Sequence, residues 1–223
     1  MRLDQIVNHK PRLEKGEQLY CAHDPFCSVY AIRSGMLKLY SNQEDGIEVI
    51  HGFYFSGDVV GFDGIESGEY QLNVEAIEPS TLCEIPYEQL QLLSVNIPNL
   101  SMHLYRVLGK KMNDSYYQAQ LLAIKSAEQR LANFLYYTVD RIRSRGFDEF
   151  EFHLPILHRE VANYIGLTPE TVSRLLTKFH NQGIVTWKKR RVVLHDKDAL
   201  RTLAGIPNVV DFKCKLGECR LNF

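Results

Sequence analysis

The sequence has little cysteine, a single tryptophan and no long apolar run. Five cysteines in 223 residues are few and odd in number, which excludes a small disulfide-stapled fold. No stretch approaches the roughly 18–20 apolar residues that a membrane span needs, so no membrane partner is expected. Met1-Arg2-Leu3-Asp4-Gln5 carries no apolar segment after its charge. No secretory signal is therefore read, and a cytoplasmic protein with reduced thiols is expected. The loops of common enzyme classes are missing as well. No Gly-x-Gly-x-x-Gly or Gly-x-Ser-x-Gly occurs, and Gly109-Lys110-Lys111 lacks the upstream glycine of a phosphate loop. His153, His158 and Glu160 do not have the spacing of a His-Glu-x-x-His helix. An enzyme is not expected.

Positive charge is also missing from one long stretch. No Lys or Arg lies between Lys38 and Arg106, where eleven carboxylates do. The overall net charge of −1 conceals a division: residues 1–100 carry −9, residues 101–150 carry +3 and residues 151–223 carry +5. A basic C-terminal half behind an acidic front points to a polyanionic partner for the basic part. At 45% hydrophobic and 24% charged, the remaining composition is that of an ordinary globular protein.

Residues 18–86 alternate short β-branched and aromatic runs with Glu14-Lys15-Gly16, Arg33-Ser34-Gly35, Glu44-Asp45-Gly46 and Ser56-Gly57-Asp58. Strands this short at such spacing predict a small barrel or sandwich. Residues 99–125 hold no Pro and one Gly, which predicts a helix about 40 Å long. Tyr105, Leu108, Met112, Ser115, Ala119 and Leu122 recur in alternating steps of three and four, a seam that asks for a partner helix. Ser126-Ala127-Glu128-Gln129 has the form of a capping box and starts a new helix, with Leu131, Phe134, Leu135, Val139 and Ile142 as its buried stripe. Glu149 to Leu154 alternates as a half-exposed strand.

Residues 157–194 carry the chemistry. A short helix over 158–165, the Gly166-Leu167 turn, Thr168 as N-cap and Pro169 at the first helical position predict a helix-turn-helix ending before Gly183. Val172, Leu175, Leu176 and Phe179 share the core face of its second helix. The opposite face presents Glu170, Ser173 and Arg174 as candidate base readers, and Thr177 and Lys178, with Thr168, as candidate phosphate contacts. A hairpin follows whose tip, Lys188-Lys189-Arg190-Arg191, is a candidate phosphate-binding wing. Double-stranded DNA is the expected partner.

This order of parts resembles the cyclic-AMP receptor protein / fumarate-nitrate regulator (CRP/FNR) superfamily, over about residues 11–206. Tyr30-Ala31-Ile32-Arg33-Ser34-Gly35, Gly57-Asp58-Val59-Val60-Gly61-Phe62-Asp63, Cys83-Glu84-Ile85-Pro86 and Glu170-Thr171-Val172-Ser173-Arg174 resemble its FNR branch specifically. The resemblance implies an α+β chain in three parts. These are a cyclic-nucleotide-binding-like β-roll over 1–98, a dimerisation helix over 99–125, and a winged helix-turn-helix with a C-terminal tail over 126–223. It implies a homodimeric transcription regulator that binds a palindromic TTGA-type operator. It also implies an RNA polymerase contact at an exposed acidic loop holding Asp63 and Glu66.

Nucleotide-binding relatives hold the cyclic phosphate with an Arg inside the roll, beside a Gly-Glu contact. Here that Arg is absent and position 62 is Phe, so cyclic AMP is not expected. The branch's iron–sulfur cluster uses three Cys in an N-terminal arm and one in the roll. Cys83 matches the roll position, but no Cys precedes Cys21, so no cofactor is expected. The alternative is a thiol or iron–sulfur redox sensor, which requires Cys21, Cys27 and Cys83 to converge on a metal. Cys214 and Cys219 lie in the tail beyond the resemblance. The middle of the seam, Met112, Ser115 and Ala119, has no carboxylate to repel its twin, which predicts dimerisation without an oxygen-labile cluster.

Overall fold

A computed structural model describes residues 8–9, 12–124 and 126–206; Cys214 and Cys219 lie outside the described residues. The strands delimited by the turn residues form two facing four-stranded sheets. β1 (Asn8–His9), β3 (Ser28–Ser34), β6 (Val59–Val60) and β8 (Thr81–Pro86) are ordered β1-β8-β3-β6. β2 (Gln18–Tyr20), β4 (Met36–Asn42), β5 (Glu48–Phe55) and β7 (Asn73–Ala76) are ordered β2-β7-β4-β5. The turn between β3 and β4 requires glycine. Gly35 has φ +88°, and a Cβ there would collide with the backbone of Pro79 and Ser80.

Leu19, Ile32, Leu37, Leu39, Val74 and Leu82 fill the roll together with Tyr20, Tyr30 and Tyr70. The run Met36 to Tyr40 is buried at every position because both faces of β4 are covered. Leu37 and Leu39 point into the roll, whereas Met36 and Tyr40 join a second core shared with the C-terminal half. A bulge extends this outer face. Pairing of β4 with β5 steps from Leu39–Gly52 to Tyr40–Ile50, skipping His51, so that Ile50, Phe53 and Phe55 all join the second core.

β8 runs into α1 (Tyr87–Asn96), a helix that the reading of strands up to residue 86 does not anticipate. α2 (Pro98–Ile124) is the expected long helix. It turns Leu121 inward at 2% exposure, while Tyr105, Met112 and Tyr116 stand out at 68%, 56% and 66%. α3 (Ala127–Arg143) begins at the expected capping box. The Ser126 hydroxyl accepts from the Gln129 N–H, and the Gln129 side chain accepts from the Ser126 N–H. Its stripe Leu131, Phe134, Leu135, Val139 and Ile142 is buried.

Next come β9 (Glu151–His153), α4 (His158–Tyr164), α5 (Pro169–Asn181), the hairpin β10 (Val185–Lys188) with β11 (Arg191–Leu194), and α6 (Lys197–Leu203). β9 pairs with β11, making a three-stranded sheet ordered β10-β11-β9. One apolar core runs from Phe53 and Phe55 through Leu131 and Phe134 to Phe179 and Trp187. The break after α2 therefore interrupts the helix but not the packing. Among the described residues no helix is long and apolar enough to cross a membrane.

Candidate nucleic-acid interface

α5 begins where Thr168 caps it, its hydroxyl accepting from the Thr171 N–H at 3.2 Å, with Pro169 at the first position. The turn from α4 needs Gly166, at φ +64°. A Cβ there would lie 3.2 Å from Leu122 Cδ2 and 3.3 Å from Arg130 Nη1. Val172, Leu175, Leu176 and Phe179 are buried, so α5 can present only its other face. That face leaves Glu170, Ser173, Arg174 and Thr177 exposed. Among the described residues Glu170 and Arg174 form no ion pair.

The cations divide into two groups. Lys178 Nζ pairs with Glu128 of α3 at 2.8 Å, and Arg191 Nη2 pairs with Glu151 of β9 at 2.6 Å. The Thr177 hydroxyl donates to the Ser173 carbonyl at 3.0 Å. Lys188, Lys189 and Arg190 stand exposed at the two-residue turn between β10 and β11, where Lys189 adopts φ +57°. The Leu154 N–H donates to the Arg190 carbonyl at 2.7 Å and ties this turn to the chain after β9. The wing is rooted by Trp187, which lies parallel to Phe134 at 6.5 Å and edge-on to His158 at 4.9 Å. Burial holds the His158 imidazole below its ordinary pKa, favouring a neutral ring in that contact. A chain of hydrogen bonds, His180 Nδ1 to Thr186 Oγ1 to His195 Nε2 at 2.8 Å each, links the end of α5 to β10 and to the residue that follows β11.

Three links were not legible in the sequence because their partners are remote in the chain. Arg130 on α3 donates to the carbonyls of Leu122, Ile165 and Gly166, joining the end of α2 to the helix-turn-helix turn. Asp58 accepts from Arg141, from Arg145 at 2.7 Å and from the Phe55 N–H at 2.8 Å. Asn163 of α4 bonds to the backbone of β5. Gly57-Asp58 was visible as a motif, but nothing local indicated what Asp58 holds.

One expectation is corrected. Asp63, read as an exposed loop carboxylate, is half-buried. It accepts from the Tyr20 hydroxyl at 3.2 Å and from the Gln71 and Leu72 N–H groups at 3.1 and 3.2 Å. There the carboxylate satisfies three donors; Glu66 alone of the pair is exposed. The alternative reading requires Cys21, Cys27 and Cys83 to converge. Cys21 and Cys27 are exposed at the two ends of the β2–β3 connection, whereas Cys83 is half-buried on β8 opposite Ala31. Among the described residues no three His, Cys, Asp or Glu side chains come together as a metal site. Aromatic rings occupy part of the roll interior. Tyr20 and Tyr70 stack at 3.8 Å between centroids, and the hydroxyls of Tyr20 and Tyr30 donate to Asp63 and Glu84.

Comparison with known proteins agrees with this geometry. Residues 10–94 match the cyclic nucleotide-binding domain, and residues 129–203 match the Crp-like helix-turn-helix domain. The fumarate and nitrate reduction regulatory protein of Escherichia coli (strain K12) is 42% identical over 204 residues, 92% of this chain and 82% of that protein. Electron transport regulator A of Shewanella oneidensis is 40% identical over the same shares. FixK2 from Bradyrhizobium japonicum superimposes with a TM-score of 0.80 at 28% identity, covering 91% of this chain and 100% of that one. With its roll, long helix and winged helix-turn-helix in this order, the chain belongs to the CRP/FNR family of transcription regulators, on the FNR-like branch.

Proposed function

We propose that this regulator binds a palindromic TTGA-type operator as a homodimer and contacts RNA polymerase from the roll. The observation that carries the operator reading is the reader face of α5. Glu170, Ser173 and Arg174 are exposed at its N-terminal end, and Lys188, Lys189 and Arg190 are exposed on the hairpin that follows α5. Arg174 would pair bidentately with guanine, and Glu170 would accept from cytosine N4. The wing cations would lie on phosphate, joined less directly by Lys178 and Arg191, whose charges Glu128 and Glu151 already balance. Thr168 and Thr177 would approach phosphate while keeping their bonds within α5.

Dimerisation would use the α2 seam of Tyr105, Leu108, Met112, Ser115, Ala119 and Leu122, supported by the exposure of Tyr105 and Met112 in the protomer. A coiled pair along this seam would place two recognition helices about 34 Å apart, one turn of duplex. The polymerase contact would rest on exposed Glu66, with Asp63 shaping the loop from inside.

Anisotropy titrations on an inverted-repeat TTGA duplex and on random duplex, across a salt series, test the assignment. Arg174→Ala should cost about 1–3 kcal/mol on the operator and relax preference at one G·C pair. Lys189→Ala should weaken both duplexes alike and reduce the salt slope by about 1. Identical behaviour of the two variants on both duplexes would overturn the roles.

A further inference from the structure

β5 is the edge strand of its sheet, so half of its backbone groups have no neighbouring strand. α4 supplies a partner through one side chain. Asn163 Nδ2 donates to the Glu48 carbonyl at 2.6 Å, and Asn163 Oδ1 accepts from the Ile50 N–H at 2.8 Å. Bonding to the carbonyl before a residue and the N–H after it, here flanking Val49, is the pattern of a parallel neighbour in a sheet. The carboxamide thus stands in for the N–H and C=O of one residue of an added strand. Asp would lack the donor, Ala would lack both groups, and Gln would be one methylene too long.

The bond sits where the helix-turn-helix meets the roll. The next residue, Tyr164, packs against Phe53 at 5.4 Å and Phe134 at 6.0 Å. Beside it, Arg159 and Glu160 of α4 face Lys38, Glu48 and Ile50 across a cleft. Lys38 in that cleft pairs with Glu48 at 2.7 Å and Glu75 at 3.6 Å, so the roll side of the joint is itself pinned. α4 docked in this way leaves Glu170, Ser173, Arg174 and Thr177 exposed. Docking therefore does not cover the reader face.

We propose that Asn163 is a positioning residue for operator recognition: by completing edge strand β5 it holds the helix-turn-helix at a set angle to the roll, so that both recognition helices of a dimer reach their half-sites together. This rests on the dimeric operator reading given above. Asn163 lies on α4 and is not part of the α5 reader face, so its loss leaves the chemistry of one half-site intact. What is lost is the effective concentration of the second recognition helix once the first has bound. Two-site binding then becomes weaker while one-site binding does not.

The test uses the full chain and two duplexes, one with two TTGA-type half-sites in inverted repeat and one with a single half-site. Asn163→Ala is expected to bind the inverted repeat about 10-fold more weakly and the single half-site unchanged, with dimer mass unchanged by sedimentation. Asn163→Asp, which keeps the acceptor and loses the donor, should fall with Asn163→Ala. Exchange of the Ile50 amide hydrogen should be about 10-fold faster in Asn163→Ala, reporting the loss of the bond without reference to DNA. Unchanged or tighter binding of the inverted repeat by Asn163→Ala overturns the proposal. Equal losses on both duplexes also overturn it, making Asn163 a DNA contact or a folding residue. If the unsubstituted protein binds the inverted repeat no better than a single half-site, the dimeric reading itself fails and the proposal falls with it.

Discussion

Asp58→Ala removes the carboxylate that joins the roll to α3, and its cost can be worked from the contacts. Asp58 accepts from Arg141, from Arg145 Nη2 at 2.7 Å and from the Phe55 N–H at 2.8 Å. The two guanidinium groups lie against the same Phe55 ring, at 4.6 and 5.6 Å from its centroid. Without Asp58 they face each other with no anion between them. Hydrogen bonds to charged groups contribute about 1.5–3 kcal/mol each, and breaking a buried pair costs about 3–5 kcal/mol. Asp58 is 14% exposed, but Arg141 is 30% exposed, so water recovers part of the loss. The expected destabilisation is about 2–4 kcal/mol for Asp58→Ala, and about half of that for Asp58→Asn. The single tryptophan, Trp187, is buried in the wing root, so its fluorescence follows the C-terminal module during urea unfolding. A double-mutant cycle with Arg145→Ala should give a coupling of about 1–2 kcal/mol. Unfolding within about 0.5 kcal/mol of the unsubstituted protein, or full additivity in the cycle, would refute the clamp.

Three further outcomes are expected. Met112→Glu places paired carboxylates in the α2 seam and should yield monomers by sedimentation, with operator binding reduced to the half-site level. Burial lowers the Lys111 pKa to about 8, with Asp58 and Asp63 only partly opposing it, while the ammonium sits 4.3 Å from the Tyr54 ring centroid. Between that value and the ordinary 10.5 the unfolded chain binds more protons than the folded one, so stability should rise with pH across this window. Lys111→Met should flatten that rise in urea titrations from pH 7 to 10. Glu66→Lys should cut transcription from a TTGA-type promoter several-fold while operator affinity stays within twofold; reduced affinity would instead point to damage to the roll.

Much of the fold was legible because local rules and tertiary packing agree. Ser126 and Gln129 cap α3 because both halves of the box lie within four residues, and Thr168-Pro169 fixes the start of α5 in the same way. The recognition face followed from periodicity, since Val172, Leu175, Leu176 and Phe179 can share only one side of a helix. The wing followed from two short apolar runs on either side of four cations. α1 was less visible, because Leu90 and Leu93 are buried while Leu92 and Val95 are exposed, a stripe too narrow to stand out.

The sequence by itself determined the order of parts, the polarity of the recognition helix and the acidic, cation-poor character of the roll. Each depends on neighbours within a few turns of chain. The tertiary structure decided which charges already have a partner. Lys178 and Arg191 look like the other cations in the sequence, but Glu128, 50 residues away from Lys178, and Glu151 are brought beside them. Asp63 reads as a solvent-facing loop carboxylate until Tyr20 and the Gln71 and Leu72 amides close around it. The junction of the two halves was likewise decided in three dimensions. Asn163 and the backbone of β5 are separated by more than a hundred residues, so no local pattern records their pairing. A polar side chain at a helix surface has the same local signature whether it meets water or completes a strand, and only the packing of α4 on the open edge of β5 distinguishes them.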